Sequence, residues 1–141
     1  MGRSGSLLLA LLLVSSALCQ KPYTPQPGAT ERKAILDAIR PTIEKELKKK
    51  VLFKVTHMKV LYGWAFTYGT ILQPNGKPCD FRGTPHYAAW KDGAFSDSYC
   101  GLVRKFGKKW KSKIALVGMT DVPWVEWDRE YKAPKAIFDL R

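Results

Sequence analysis

Apolar residues recur every fourth position through Ile35, Ile39, Ile43 and Leu47, with Leu36 beside them. That spacing draws one stripe along an α-helix. Thr30 stands ahead of the stripe as an N-cap, and Glu31 lies where the helix dipole favours an anion. Lys48, Lys49 and Lys50 close the segment, where the dipole favours cations. Pro41 interrupts it, so the pattern fits one kinked helix or two short ones meeting at Arg40. From residue 51 the period falls to two. Residues 51–60 are rich in β-branched and apolar side chains, with a parity change near Thr56 or His57 that signals a bulge. Tyr62-Gly63 reads as a turn, after which Trp64, Phe66 and Tyr68 alternate with smaller residues along a second strand. Pro74-Asn75-Gly76-Lys77 is a turn. Thr84-Pro85 opens a short helix over 87–92 that Gly93 stops. Residues 99–106 and 110–117 are two further strands around a hairpin turn at Gly107-Lys108.

Helix, hairpin, short helix, hairpin and short helix make an α+β chain. Its antiparallel sheet of about four strands, two hairpins, would pack on the N-terminal amphipathic helix. The element order is loosely cystatin-like or NTF2-like, a likeness of shape that carries no function. The spacing of Trp64, Phe66 and Tyr68, and of Trp124 and Trp127, places these aromatics in the core.

Residues 1–19 read as a secretory signal peptide: Arg3, then an apolar run over 7–14, then Ala17-Leu18-Cys19 at the cleavage site. The run is shorter than the roughly 20 residues a bilayer span needs. No later segment is apolar enough for an integral membrane span. Leu18, in place of a small residue, argues against a lipid-anchored Cys19. The destination is therefore secreted or periplasmic. Removing the signal leaves a Pro-rich leader over 20–29, expected to be extended and mobile, and a single globular domain over 30–141. It also leaves two cysteines, Cys79 and Cys100. In an oxidising compartment this even pair implies a disulfide, worth roughly 3 kcal/mol by loop closure.

Charge narrows the functional classes. The chain carries 24 Lys plus Arg against 12 Asp plus Glu, a net +12, and only Arg3 of these lies in the signal. Such an excess attracts polyanions. A two-residue turn at Gly107-Lys108 pairs Arg104 with Lys111 and sets Leu102 opposite Lys113. Val103, Ile114 and Leu116 then share one face, and Arg104, Lys111 and Lys113 the other. Like charges facing each other in a sheet are unfavourable, which makes these three a candidate anion-binding site; the alternative is a solvated sheet face that keeps the protein soluble and its edges unpaired. Lys45, Lys48, Lys49 and Lys50 form a second patch, diluted by Glu44 and Glu46. An anionic polymer or an acidic protein would be the partner of a binding or inhibitory module. The catalytic inventory is thin. His57 falls in a strand and is expected to be structural. His86 with Asp80 or Asp92 is the one pairing suited to general-base catalysis, the alternative being a small secreted hydrolase. There is no GxSxG, HExxH, P-loop or Rossmann glycine pattern, and no metal-ligand spacing, so no cofactor or metal is implied.

The stretch Gly118-Met119-Thr120-Asp121-Val122-Pro123-Trp124, followed by Trp127 and Tyr131-Lys132-Ala133-Pro134, resembles the C-terminal signature of small exported bacterial proteins sharing a G-x-T-D-V-x-W pattern. The likeness extends back through Ala34-Ile35-Leu36-Asp37-Ala38-Ile39-Arg40 and Trp64-Ala65-Phe66. The resemblance implies export and carries no activity, so no site residue comes with it. Physically, Thr120 or Asp121 is expected to cap a helix running through Trp124 and Trp127.

Overall fold

Ile35, Ile39, Ile43 and Leu47 are buried along one side of α1 (Thr30–Leu47), an unbroken helix of 18 residues in the computed structural model, which describes residues 20–141. The expected signal peptide, Cys19 included, lies outside the described residues. Pro41 does not divide α1. It sits on the exposed side, where water can satisfy the Asp37 carbonyl that loses its helical donor. The expected cap is absent: Thr30 is already helical, and Ala29 occupies the N-cap position without a side-chain bond. Two residues of α1 fix the turn into the sheet. The Val51 N–H donates to Glu44 Oε2 at 2.9 Å, and the Arg40 guanidinium donates to the Val51 carbonyl.

Four strands follow as an antiparallel meander in the order β1 (Leu52–Leu61), β2 (Trp64–Leu72), β3 (Ser98–Phe106) and β4 (Lys109–Val117). The fold is thus α+β with a single four-stranded antiparallel sheet. A short α2 (Tyr87–Lys91) lies in the β2–β3 connection, and α3 (Trp127–Glu130) and a 3₁₀ turn (Lys135–Phe138) follow β4. Tyr62 and Gly63 both take positive φ (51° and 74°), the signature of a type I′ turn. In the second hairpin Gly107 takes φ 59° while Lys108 does not, which suits type II′. The bulge in β1 falls where the parity change placed it, between Val55 and His57. Gly69 pairs with Val55 beside it, and a Cβ there would lie 2.1 Å from the Lys54 carbonyl oxygen. Only glycine fits that approach.

Both faces of the sheet are covered, where the sequence pattern accounted for one. On the first face α1 packs over β3 and β4, and its stripe joins Met58, Val60, Ala65, Ile71, Tyr99 and Val103. On the second, Trp64, Phe66, Cys100 and Leu102 lie beneath Trp124, Trp127, Ala133 and Ile137. The C-terminal helix expected from Thr120 is only one turn, α3, and Trp124 sits in the turn before it. A second-face layer built of turns can wedge Trp124 and Trp127 against the same ring, Phe66, at centroid distances of 5.1 and 6.2 Å. His57, buried in β1, donates from Nε2 to the Ile137 carbonyl at 2.8 Å and ties this layer down.

The Pro-rich leader is anchored rather than loose. Tyr23 exchanges both backbone hydrogen bonds with Val60, at 3.0 and 2.8 Å, and Thr24 Oγ1 donates to the Met58 carbonyl at 2.7 Å. The outer edge of β1 offers unpaired backbone groups, and the leader takes some of them.

Two outcomes follow from this packing. Gly69→Ala should lower the unfolding free energy by about 2–3 kcal/mol, the cost of overpacking beside a rigid backbone, read from the urea midpoint. Burial depresses the His57 pKa below its ordinary 6.5, although the bond to Ile137 opposes the shift. The unfolded chain therefore binds a proton that the folded chain refuses, so stability is full above pH 6.5 and falls as the pH drops through that value. Denaturation at about pH 7.5 and 5.5 should show this loss in the native chain and a smaller one in His57→Gln, which keeps a donor without titrating.

Candidate anion-binding surface

Between Ser98 and Thr120 the chain has six cationic residues and no carboxylate. They lie on the β3–β4 hairpin. The register follows the turn at first: Phe106 pairs with Lys109, Lys105 with Trp110 and Arg104 with Lys111. It then departs from simple alternation. Val103 pairs with Ser112 and Leu102 with Ile114, leaving Lys113 as the extra residue of a bulge. The expected pairing of Leu102 with Lys113 is thus corrected. So is the shared face of Val103, Ile114 and Leu116: Val103 joins the α1 side, whereas Ile114 and Leu116 join Leu102 under the C-terminal layer.

The bulge does not scatter the cations. Lys113 Nζ lies 5.9 Å from the centre of the Phe106 ring, Lys111 Nζ 5.7 Å and the Arg104 guanidinium 5.7 Å. Arg104 also lies 4.7 Å over Trp64, its partner across β2 and β3. The three sequence candidates therefore converge, on an aromatic residue that charge patterning alone did not single out. Phe106 is 47% exposed. Attraction between cations and ring faces offsets part of the repulsion among the three charges. None of Arg104, Lys105, Lys108, Lys109, Lys111 or Lys113 forms a salt bridge with a described residue. The Lys105 N–H donates to the Gly63 carbonyl at 2.8 Å, so the Tyr62-Gly63 turn lies alongside and the second hairpin continues past it. The surface is open: Arg104, Phe106, Lys111 and Lys113 are all exposed.

The second basic patch lies at the other end of the sheet, because β1 starts beside Lys48–Lys50 and runs toward Tyr62. Its charges are partly committed. Lys49 Nζ donates to the Asp80 and Arg82 carbonyls at 2.9 and 2.7 Å, latching the loop after β2, and Lys50 pairs with Glu44 at 3.5 Å. Asp37, Glu44, Arg40, Lys45 and Lys48 mix signs along a shallow cleft of about 530 Å³.

The pairing of His86 with Asp80 or Asp92 does not form. His86 Nε2 lies 2.9 Å from Glu46 Oε1 of α1, and its ring stacks on Phe95 at 4.3 Å. Asp80 is gripped by Arg82 through side-chain and backbone hydrogen bonds, which hold its carboxyl at about 2. Asp92 ends α2 through its backbone N–H. His86 thus joins the loop to α1, while the Asp80 carboxylate is held by Arg82 within the loop itself. The Cys79–Cys100 disulfide is also absent, and the sheet explains why. Cys100 points into the C-terminal layer, and Cys79 packs on the α1 side. Burial pushes the Cys100 thiol up to about 12 and raises that of Cys79. Among the described residues no cluster of three or more His, Cys, Asp and Glu is arranged to hold a metal ion. No helix among them is long and apolar enough to cross a membrane.

Comparisons with protein-family models, with curated proteins and with solved structures return no match to this chain. Thiol chemistry gives a direct check on the geometry. Cys79 and Cys100 should both be free thiols in the native protein, with Cys79 alkylated in the folded state and Cys100 only after denaturation; mass spectrometry of peptides labelled before and after unfolding reads both.

Proposed function

We propose that the chain is an exported, non-enzymatic binding or inhibitory module whose β3–β4 hairpin meets an anionic partner, a polymer or an acidic protein surface, in the periplasm or the medium. One observation carries the reading: Arg104, Lys111 and Lys113 converge on exposed Phe106 with no carboxylate paired to any of them. A hairpin kept basic only for solubility would gain by interspersing acids, as α1 does with Asp37, Glu44 and Glu46. Here like charges face each other across the ladder, and Arg104 opposite Lys111 is an unfavourable pair that a bound anion relieves. The excess of cations, +12 for the whole chain and one less without Arg3, draws such a partner from a distance.

Heparin serves as a soluble polyanion probe. If three cations each displace a counterion, affinity should fall roughly 40-fold between about 50 and 200 mM salt. Lys111→Glu with Lys113→Glu should abolish binding without moving the thermal midpoint, since both side chains are exposed. Binding that ignores both salt and the double reversal refutes the reading.

A further inference from the structure

Three features of the hairpin end narrow the anion beyond its charge. The first is shape. Arg104, Phe106, Lys111 and Lys113 are all exposed on the projecting end of the hairpin, a surface that a broad flat partner can meet. The second is the state of the Phe106 ring. Three cations already lie within 5.9 Å of its centroid. A base or sugar stacking on that ring would have to displace them, whereas an apolar medium can take the ring with the cations left beside it. The long stems of Lys111 and Lys113 suit that arrangement, because they can lie along apolar surface while their ammonium groups reach outward.

The third feature is Tyr62. It is 58% exposed and occupies the first central position of a type I′ turn at φ 51°. Asn, Asp or Gly relieves the strain of that conformation, and a bulky aromatic does not. The backbone bond from Lys105 to Gly63 sets this turn beside the end of β3. Two exposed aromatics therefore stand at the same end of the sheet as the unpaired cations, and one of them is held at a cost to local stability. Aromatic side chains with a polar tip or a cationic collar favour the boundary between water and acyl chains.

We propose that the hairpin end docks on an anionic lipid bilayer, with Phe106 and Tyr62 entering the headgroup–acyl boundary and Arg104, Lys111 and Lys113 meeting headgroup phosphates. This rests on the anion-binding reading above and names its partner. An apolar anchor combined with a cluster of cations is the two-part arrangement that gives stable, reversible attachment to membranes.

The test uses the full chain with vesicles of phosphatidylcholine, alone or mixed with phosphatidylglycerol, read by co-sedimentation, and heparin affinity measured in parallel. The native protein should sediment with the mixed vesicles and not with phosphatidylcholine alone. Phe106→Ser should weaken vesicle binding by roughly tenfold or more, the scale of one buried phenyl ring, and leave heparin affinity within about twofold, because the charges are intact. Tyr62→Asn should raise the thermal midpoint and still weaken vesicle binding, a pairing of signs that a purely structural role would not produce. Heparin binding without vesicle binding overturns the lipid proposal and leaves the anion-binding reading standing; loss of both overturns both. Vesicle binding that Phe106→Ser and Tyr62→Asn leave unchanged also overturns it, since charge alone would then account for attachment.

Discussion

The Phe66 ring, fully buried near the start of β2, holds the C-terminal layer to the sheet. It meets Phe138 at 4.8 Å, Trp124 at 5.1 Å, His57 at 5.5 Å and Trp127 at 6.2 Å. Aromatic contacts at these separations add to the gain from burying the rings, and the short C-terminal elements have little else to order them. An isolated helix of four residues is not stable in water. Residues 124–138 keep their turns because Trp124, Trp127 and Ile137 are drawn onto the sheet. The hydrogen bond from His57 to Ile137 then selects one register for the layer.

That constraint governs the rest of the second face. Where the layer lies, Cys100 and Leu102 are buried, and that burial disfavours the Cys100 thiolate. Toward the hairpin ends, Trp64 marks the last large apolar side chain that the layer shields. Beyond it Arg104 lies over the Trp64 ring, and the exposed surface becomes cationic. The basic patch is thus the part of the sheet face that the C-terminal layer leaves uncovered. On the opposite face α1 packs over β3 and β4, and Gly101 admits Ile39 at close range.

Two bulges set the aim of individual side chains. The one at Thr56 turns His57 toward Ile137 while Met58 and Val60 remain under the α1 side. The one at Lys113 lets β4 offer Ile114 and Leu116 to one core and still keep its last lysine beside Phe106. A bulge shifts the parity of every residue past it, so one misplaced bulge changes which side chains share a face. The sequence signals for the two were unequal. Near Thr56 the apolar parity visibly changed. Near Lys113 the alternating run Lys109, Lys111, Lys113 looked regular.

Local chemistry determined the elements: the four-residue stripe of α1, the period-two strands, the glycine turns and the meander that tight turns enforce on neighbouring strands. It also determined the cationic character of the β3–β4 hairpin and the choice of Arg104, Lys111 and Lys113, because charge is written residue by residue. The tertiary structure decided everything that depends on contact between distant segments. It covered the second face with the C-terminal layer, drew the leader onto β1, separated Cys79 from Cys100 across the sheet, gave His86 to Glu46 and placed Phe106 among the cations. Periodicity reports which way a side chain points along its own element. It carries no record of what comes to meet that side chain, and burial, ion pairing and thiol pairing are settled by the meeting.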